Sequence, residues 1–274
     1  MTLSDALFTP FSFLAAALYL ASAGMVLLSI LQLNVLARPR LAVLTPACIA
    51  LTLHAGLIIG QYTANEGMAY DFFNMLSLVF LVIGALFVSS AFNKPIESLA
   101  IIVFPFSAAV VLSNLGNTGL IEQEQGFGWE IQSHILLSVL AYSLLTVAAF
   151  QAVMLSFQEK QLHNRHPTHF IRSLPPLQIM EGLLFQTVGL GVFLLTFSLA
   201  TGFIFLEDIF AQHLVHKTAL SISAWVIFST LLWGRGHFGW RGQTAIKWTY
   251  SGYFLLLLAY FGSKFVLQLV LQQS

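Results

Sequence analysis

Histidine is the residue type in this chain with the most chemistry to offer. Eight are present, and four of them, His54, His134, His213 and His216, lie inside or at the edge of long apolar runs. Imidazole is a common ligand for transition metals and for haem iron. It also gains and loses a proton near neutral pH. An ionisable ring inside a membrane span is costly and usually faces a partner or a cavity, which singles out His54. For His134, His213 and His216 the plain alternative is an interfacial ring bonded to a backbone carbonyl or a headgroup.

Other polar groups are less pointed. His163, His166 and His169 form a His-x-x-His-x-x-His series, but Pro167 interrupts it and argues for a solvated loop rather than a continuous helix. His237 sits in a basic, glycine-broken stretch, Gly234 to Gly242, expected to be a turn. Glu181 is expected in the first turn of a helix, where a carboxylate suits the positive end of the dipole; a place on an ion route is the alternative. Cys48 has no partner for a disulfide within the chain and lies in an apolar run, so it reads as a small packing residue. No nucleophile–base pair and no glycine-rich phosphate loop is present, so the sequence is not read as an enzyme.

The elements that position these groups follow from composition. Of 274 residues, 58% are apolar and 8% charged, against about 25% charged in a soluble domain. Most of the surface must therefore face lipid. A net charge of zero gives no basic field for nucleic acid. Eight apolar runs occur, at about 11–36, 41–61, 72–92, 98–115, 131–156, 178–206, 215–233 and 246–271. Each is long enough to cross a bilayer as a helix. Lipid satisfies no backbone polar group, so helices are the solution available. The expected fold is an all-α polytopic membrane protein of eight transmembrane helices, a single integral domain over 1–274.

Basic residues Arg38, Arg40, Lys94, Lys160, Arg165, Arg172, Arg235, Arg241 and Lys247 fall in or beside alternate loops, and acidic residues dominate the others. Positive loops stay cytoplasmic, which puts both termini outside; in a bacterium that is the periplasm, and the membrane is the inner one. The first run has no basic residue before it and is too long for a signal segment, so it is read as a retained span. On this topology His134, His213 and His216 start spans at the outer end, and His54 lies about 10 Å below it at 1.5 Å per residue. The small residues Gly182, Gly189, Gly191 and Gly202, and the alanines of span one, suit close helix packing. Pro175-Pro176 marks the start of span six near Leu177. Trp225 is the deepest tryptophan, a packing residue or a flat apolar wall.

Three pieces of the C-terminal half resemble the cytochrome c assembly protein family, the CcsA/CcmC-like membrane proteins. They are Ser133-His134-Ile135-Leu136-Leu137-Ser138 with Ala141-Tyr142, the glycine-containing run from Gly182 to Gly202, and Lys217-Thr218 through Trp225 to Gly239-Trp240-Arg241-Gly242 and Ala245. The eight-span pattern is most similar to the YpjD-type inner membrane branch. Where family members that present haem carry a tryptophan-rich outer signature, this chain has Leu206 to His216 with no tryptophan.

The resemblance implies haem b held near the outer face, with His134 and His216 as candidate axial iron ligands. His54 joins them from its place inside a span, as a candidate inner ligand, and His213 from its place at the outer start of span seven. Implied partners are the lipid bilayer and other cytochrome c assembly proteins. The alternatives are a transporter or regulator of a small ion or metal, reusing the histidines with Glu181, and a structural subunit of a membrane complex.

Overall fold

A computed structural model describes residues 3–31, 40–64, 71–94, 96–116, 128–163, 174–205 and 212–262. Eight α-helices occur among them, and no strand. They are α1 Leu3–Ile30, α2 Arg40–Ala64, α3 Phe72–Ala91, α4 Ala100–Ser113, α5 Trp129–His163, α6 Leu177–Phe205, α7 Gln212–Phe238 and α8 Gln243–Leu257. Five of these (α1, α2, α3, α5 and α6) are long and apolar enough to cross a membrane. The other three expected spans fall short for visible reasons. The helical stretch Glu97–Ser113 is short. Helix α7 carries Lys217, Arg235 and three histidines. Helix α8 ends at Leu257 and continues as a π-helical turn, Leu258–Gly262; the rest of that apolar run lies outside the described residues.

The chain forms two compact units. In unit 1, α1 packs against α2 and α4, and α3 against α2 and α4. Ser12, Ala15, Ala16, Tyr19, Ser22, Ala23, Val26 and Ile30 of α1 are buried, at the three- and four-residue spacing of one helix face. Phe11, Phe13, Leu14, Leu20 and Leu27, on the remaining surface, are exposed. A helix apolar all round belongs in lipid or in a deep core. Tyr19, Phe104 and Phe87 form an aromatic chain at the centre, with ring centroids 5.5 and 5.1 Å apart, inside the 4.5–7 Å range of favourable ring pairs. Helix α3 starts at Asp71, whose carboxylate accepts the backbone N–H groups of Phe73 and Asn74, an N-cap worth about 1 kcal/mol.

In unit 2, α5 and α6 are the most extensively packed pair. Of the glycines expected to bring helices together, Gly191 does so: a Cβ there would stand 2.7 Å from Leu145 Cδ2. Gly182 and Gly189 face open space. Helices α7 and α8 also pack closely, and Gly252 of α8 lies against the Phe228 ring. Tyr142 of α5 donates its hydroxyl to the Leu256 carbonyl at 2.6 Å, just before the π-helical turn of α8. A side chain that enters a helix ladder in this way is a recognised cause of local distortion.

The expected turn from Gly234 onwards is corrected here. Helix α7 continues through Gly234, Arg235 and Gly236 to Phe238, and the turn spans only Gly239 to Gly242. Gly234 serves packing, since the Trp240 ring lies where its Cβ would be, within 2.3 Å, whereas Gly236 faces open space within the helix. Positive φ falls instead at Gly239 and Gly242, 65° and 57°, where glycine carries no steric penalty. His163 is the last residue of α5; His166 and His169 lie outside the described residues.

Candidate functional site

His134 lies in the second turn of α5, on the face that meets α6. Its Nδ1 is 2.9 Å from the backbone carbonyl oxygen of Ser198 and 3.3 Å from Thr201 Oγ1. A carbonyl only accepts, so Nδ1 carries the proton. Thr201 Oγ1 spends its own hydrogen on the Phe197 or Ser198 carbonyl, leaving lone pairs for the same N–H.

The other ring nitrogen is therefore the basic one. Its nearest polar neighbour is Ser138 Oγ at 3.5 Å, beyond an ordinary hydrogen bond. Ser138 already donates to the His134 carbonyl at 2.7 Å and pairs with Ser198 Oγ at 2.7 Å. Its single hydrogen serves one of these bonds, and either hydroxyl can be the donor between Ser138 and Ser198. The outcome is a half-buried imidazole fixed through Nδ1–H, with the Nε2 lone pair uncommitted among the described residues. Metal-bound histidines are typically held this way: the far N–H is donated to a carbonyl or carboxylate, which fixes the tautomer and the ring orientation.

Trp129 at the start of α5 packs edge-on against Phe205 at the end of α6, centroids 5.6 Å apart. This places His134 and the α6 terminus at one end of unit 2. Helix α7 begins seven residues after Phe205 and is tied to α6 by Trp225, whose Nε1–H donates to Thr196 Oγ1 at 2.8 Å. Trp225 is thus a hydrogen-bonded packing residue. His213 and His216 fall in the first two turns of α7; their side chains lie outside the described residues. Among the described residues no three His, Cys, Asp or Glu side chains gather as a metal site. Haem iron asks the protein for only one or two axial ligands.

His54 belongs to unit 1 and is 1% exposed. Its Nδ1 is 3.3 Å from Tyr19 Oη and its Nε2 is 2.9 Å from Ser77 Oγ. Both ring nitrogens are engaged, by α1 and by α3, and the ring meets Tyr19 edge-on at 6.1 Å.

At the opposite end of unit 2 from His134, Glu181 is 4% exposed and accepts the Gly242 N–H at 2.7 Å. It therefore caps α8 rather than its own helix, because the turn after α7 brings the α8 N-terminus onto it. Glu159 of α5 accepts from the Gln243 amide at the same place, at 2.9 Å. Arg235 stands 4.8 Å over the Phe185 ring and donates to the Trp240 carbonyl.

Ser198 and Thr201, and in unit 1 Tyr19 and Ser77, are not among the candidates named from the sequence, and Ser138 figures there only within the Ser133–Ser138 run. Their one signal was the clustering of hydroxyls at helical spacing within apolar spans.

The model of the family described as cytochrome C assembly protein matches residues 45–271. Inner membrane protein YpjD of Escherichia coli K12 is 33% identical over 264 residues, covering 95% of this chain and 98% of that protein. An uncharacterized 28.8 kDa protein of Azospirillum brasilense is 36% identical over 143 residues, 52% of this chain and 53% of that one. Protein HemX of Brevibacillus brevis is 26% identical over 132 residues, 47% of this chain and 48% of that one. No solved structure matches. The tryptophan-rich segment is absent from the sequence, but the matched region takes in α5 to α7 with His134 and the Gly239–Gly242 turn. This chain belongs to the cytochrome c assembly protein family, as a multi-pass bacterial inner membrane protein.

Proposed function

We propose that this chain binds haem b at the His134 end of unit 2, as a haem-handling protein related to cytochrome c assembly. The observation that carries the reading is the Nδ1–H of His134 committed to the Ser198 carbonyl, which leaves Nε2 as the ligating nitrogen. The donor set fits an axial haem ligand: neutral imidazole, fixed tautomer, half-buried ring. His216 on α7 is the proposed second ligand and His213 the alternate, since α7 begins close after the end of α6. His54 is left out of the ligand set because both of its ring nitrogens already have partners.

When bound, haem supplies an iron whose state is tuned by its axial ligands and surroundings. The residues here bind and orient. Ser198 and Thr201 hold the ring, Ser138 and Ser198 lock α5 to α6 beneath it, and Trp129 with Phe205 shields the end of the helix pair. Eight spans with both termini outside complete the proposal, with α4, α7 and α8 crossing as well as α1, α2, α3, α5 and α6. Other cytochrome c assembly proteins are the proposed partners.

Titration of haem into purified haem-free protein tests the reading. Saturable binding near one equivalent, weakened at least tenfold in His134→Ala and in His216→Ala, supports it. Wild-type affinity in both variants overturns the ligand assignment. Reporter fusions at Ser274 test the topology; an inside reading for the C-terminus refutes it.

A further inference from the structure

We propose that His54 is a proton-binding site, reached from the Asp71 end of unit 1 along a polar stripe on α3. The site lies wholly in unit 1 and does not depend on haem binding in unit 2.

His54 and His134 differ in the kind of partner their ring nitrogens have. His134 faces a carbonyl, which can only accept. His54 faces two hydroxyls, Tyr19 Oη at 3.3 Å and Ser77 Oγ at 2.9 Å. A hydroxyl donates or accepts by rotating its hydrogen, with its oxygen in place. Neutral imidazole donates once and accepts once, whereas imidazolium donates twice. The same heavy-atom positions therefore satisfy His54 in both protonation states. A fixed structural bridge needs no such symmetry.

Polar side chains also lead towards the ring from the Asp71 end. Asp71, the N-cap of α3, Asn74 and Ser77 follow at three-residue steps, so each neighbours the next along a stripe that winds around the helix. Asn74 Nδ2 donates to Asp71 Oδ2 at 2.5 Å, and Asn114 Nδ2 at the end of α4 donates to Asn74 Oδ1 at 3.1 Å. Asn114 is 5% exposed, and its Oδ1 meets no donor among the described residues. Buried polar atoms without a protein partner usually bond water. One helical turn separates these amides from Ser77. The stripe thus runs from a carboxylate, past an acceptor that calls for water, to the hydroxyl on His54. Polar groups of this sort inside a span commonly mark ion or proton routes.

Charge is provided for as well. Asp71 precedes Ser77 by six residues, about 9 Å along the axis, and is the charged group of the stripe. Around the ring itself, α1 contributes Tyr19, α3 contributes Ser77, and α4 contributes Phe104 behind Tyr19; of these, Tyr19 is the titratable one. In the binding step a hydronium ion at the Asp71 end gives up one O–H bond and one N–H bond forms on the imidazole. The products are water and imidazolium, with Tyr19 and Ser77 both accepting.

Ring nitrogen-15 spectra of histidine-labelled protein in lipid nanodiscs test this, with His54→Gln and Tyr19→Phe assigning the signal. On acidification the two distinct nitrogens of His54 are expected to converge to the imidazolium pattern while helical circular dichroism is unchanged. Ser77→Ala, which removes one acceptor, is expected to lower the proton affinity about tenfold or more. A ring that stays neutral wherever the protein is folded, or a titration unchanged in Ser77→Ala, overturns the proposal. The path has its own test in a Cys48→Ala background: a water-soluble thiol reagent should label Asn114→Cys but not Val111→Cys. Equal protection of the two would remove the route.

Discussion

His134 Nδ1 lies 2.9 Å from the Ser198 carbonyl oxygen, 64 residues away on the neighbouring helix. The bond does two things at once: it clamps α5 to α6, and it turns the basic nitrogen of the ring outward from the clamp. Because the acceptor is backbone, no substitution at position 198 deletes it outright. Its neighbour Thr201 can be altered. Thr201→Val removes the second acceptor of the N–H and is expected to weaken haem binding roughly tenfold, since the hydrogen-bond partners of ligating histidines typically contribute 10- to 100-fold. Haem titration with a helical-content control checks it; unchanged affinity would show that the Ser198 carbonyl alone fixes the ring.

Glu181 and Gly242 give a stability prediction. Glu181→Ala leaves the Gly242 N–H and the start of α8 without their acceptor, at a cost of about 1–3 kcal/mol. Glu181→Gln keeps an acceptor oxygen and loses only the charge, so its cost is smaller. Thermal unfolding in detergent should rank wild type above Gln above Ala. A reversed order, or altered ion flux in vesicles with unchanged stability, would return Glu181 to the transport reading.

Two glycines on α6 should separate cleanly. At Gly191 a Cβ would meet Leu145 Cδ2 and Cγ at 2.7 and 2.8 Å, so Gly191→Val forces the α5–α6 pair apart and costs about 1–3 kcal/mol. Gly189 faces open space, and Gly189→Ala is expected to be neutral or slightly stabilising, because alanine favours helix over glycine. Equal effects at the two positions in an unfolding assay would contradict the α5–α6 packing.

Tyr142→Phe removes the hydroxyl that bonds the Leu256 carbonyl. A loss of about 1 kcal/mol is expected, together with faster amide exchange in the π-helical turn after Leu257. Exchange confined to other segments would mean that Tyr142 does not hold that turn.

Much of the fold was legible in the sequence because apolar run length is a direct physical signal. The Pro175-Pro176 pair placed the α6 start at Leu177, where it lies, and six further runs begin or end within a few residues of a helix terminus. The first does not: helix α1 starts at Leu3, since Pro10 is accommodated within it. The candidate site was legible only as a set of histidines. What each one does depends on partners without a sequence signature, a backbone carbonyl for His134 and hydroxyls 35 and 23 residues away for His54. Gly234 misled for a similar reason. Glycine signals a break when read alone, and only the folded Trp240 ring shows that here it makes room.

The central claim, that His134 presents Nε2 to haem iron, is tested most directly by absorption spectra. The oxidised and dithionite-reduced forms of detergent-purified protein, expressed with ample haem, should be recorded for wild type and His134→Ala. A near-stoichiometric histidine-ligated spectrum is expected in the wild type, and a Soret band that is shifted or lost in the variant. A folded, colourless wild type, or an unchanged spectrum in His134→Ala, would contradict it.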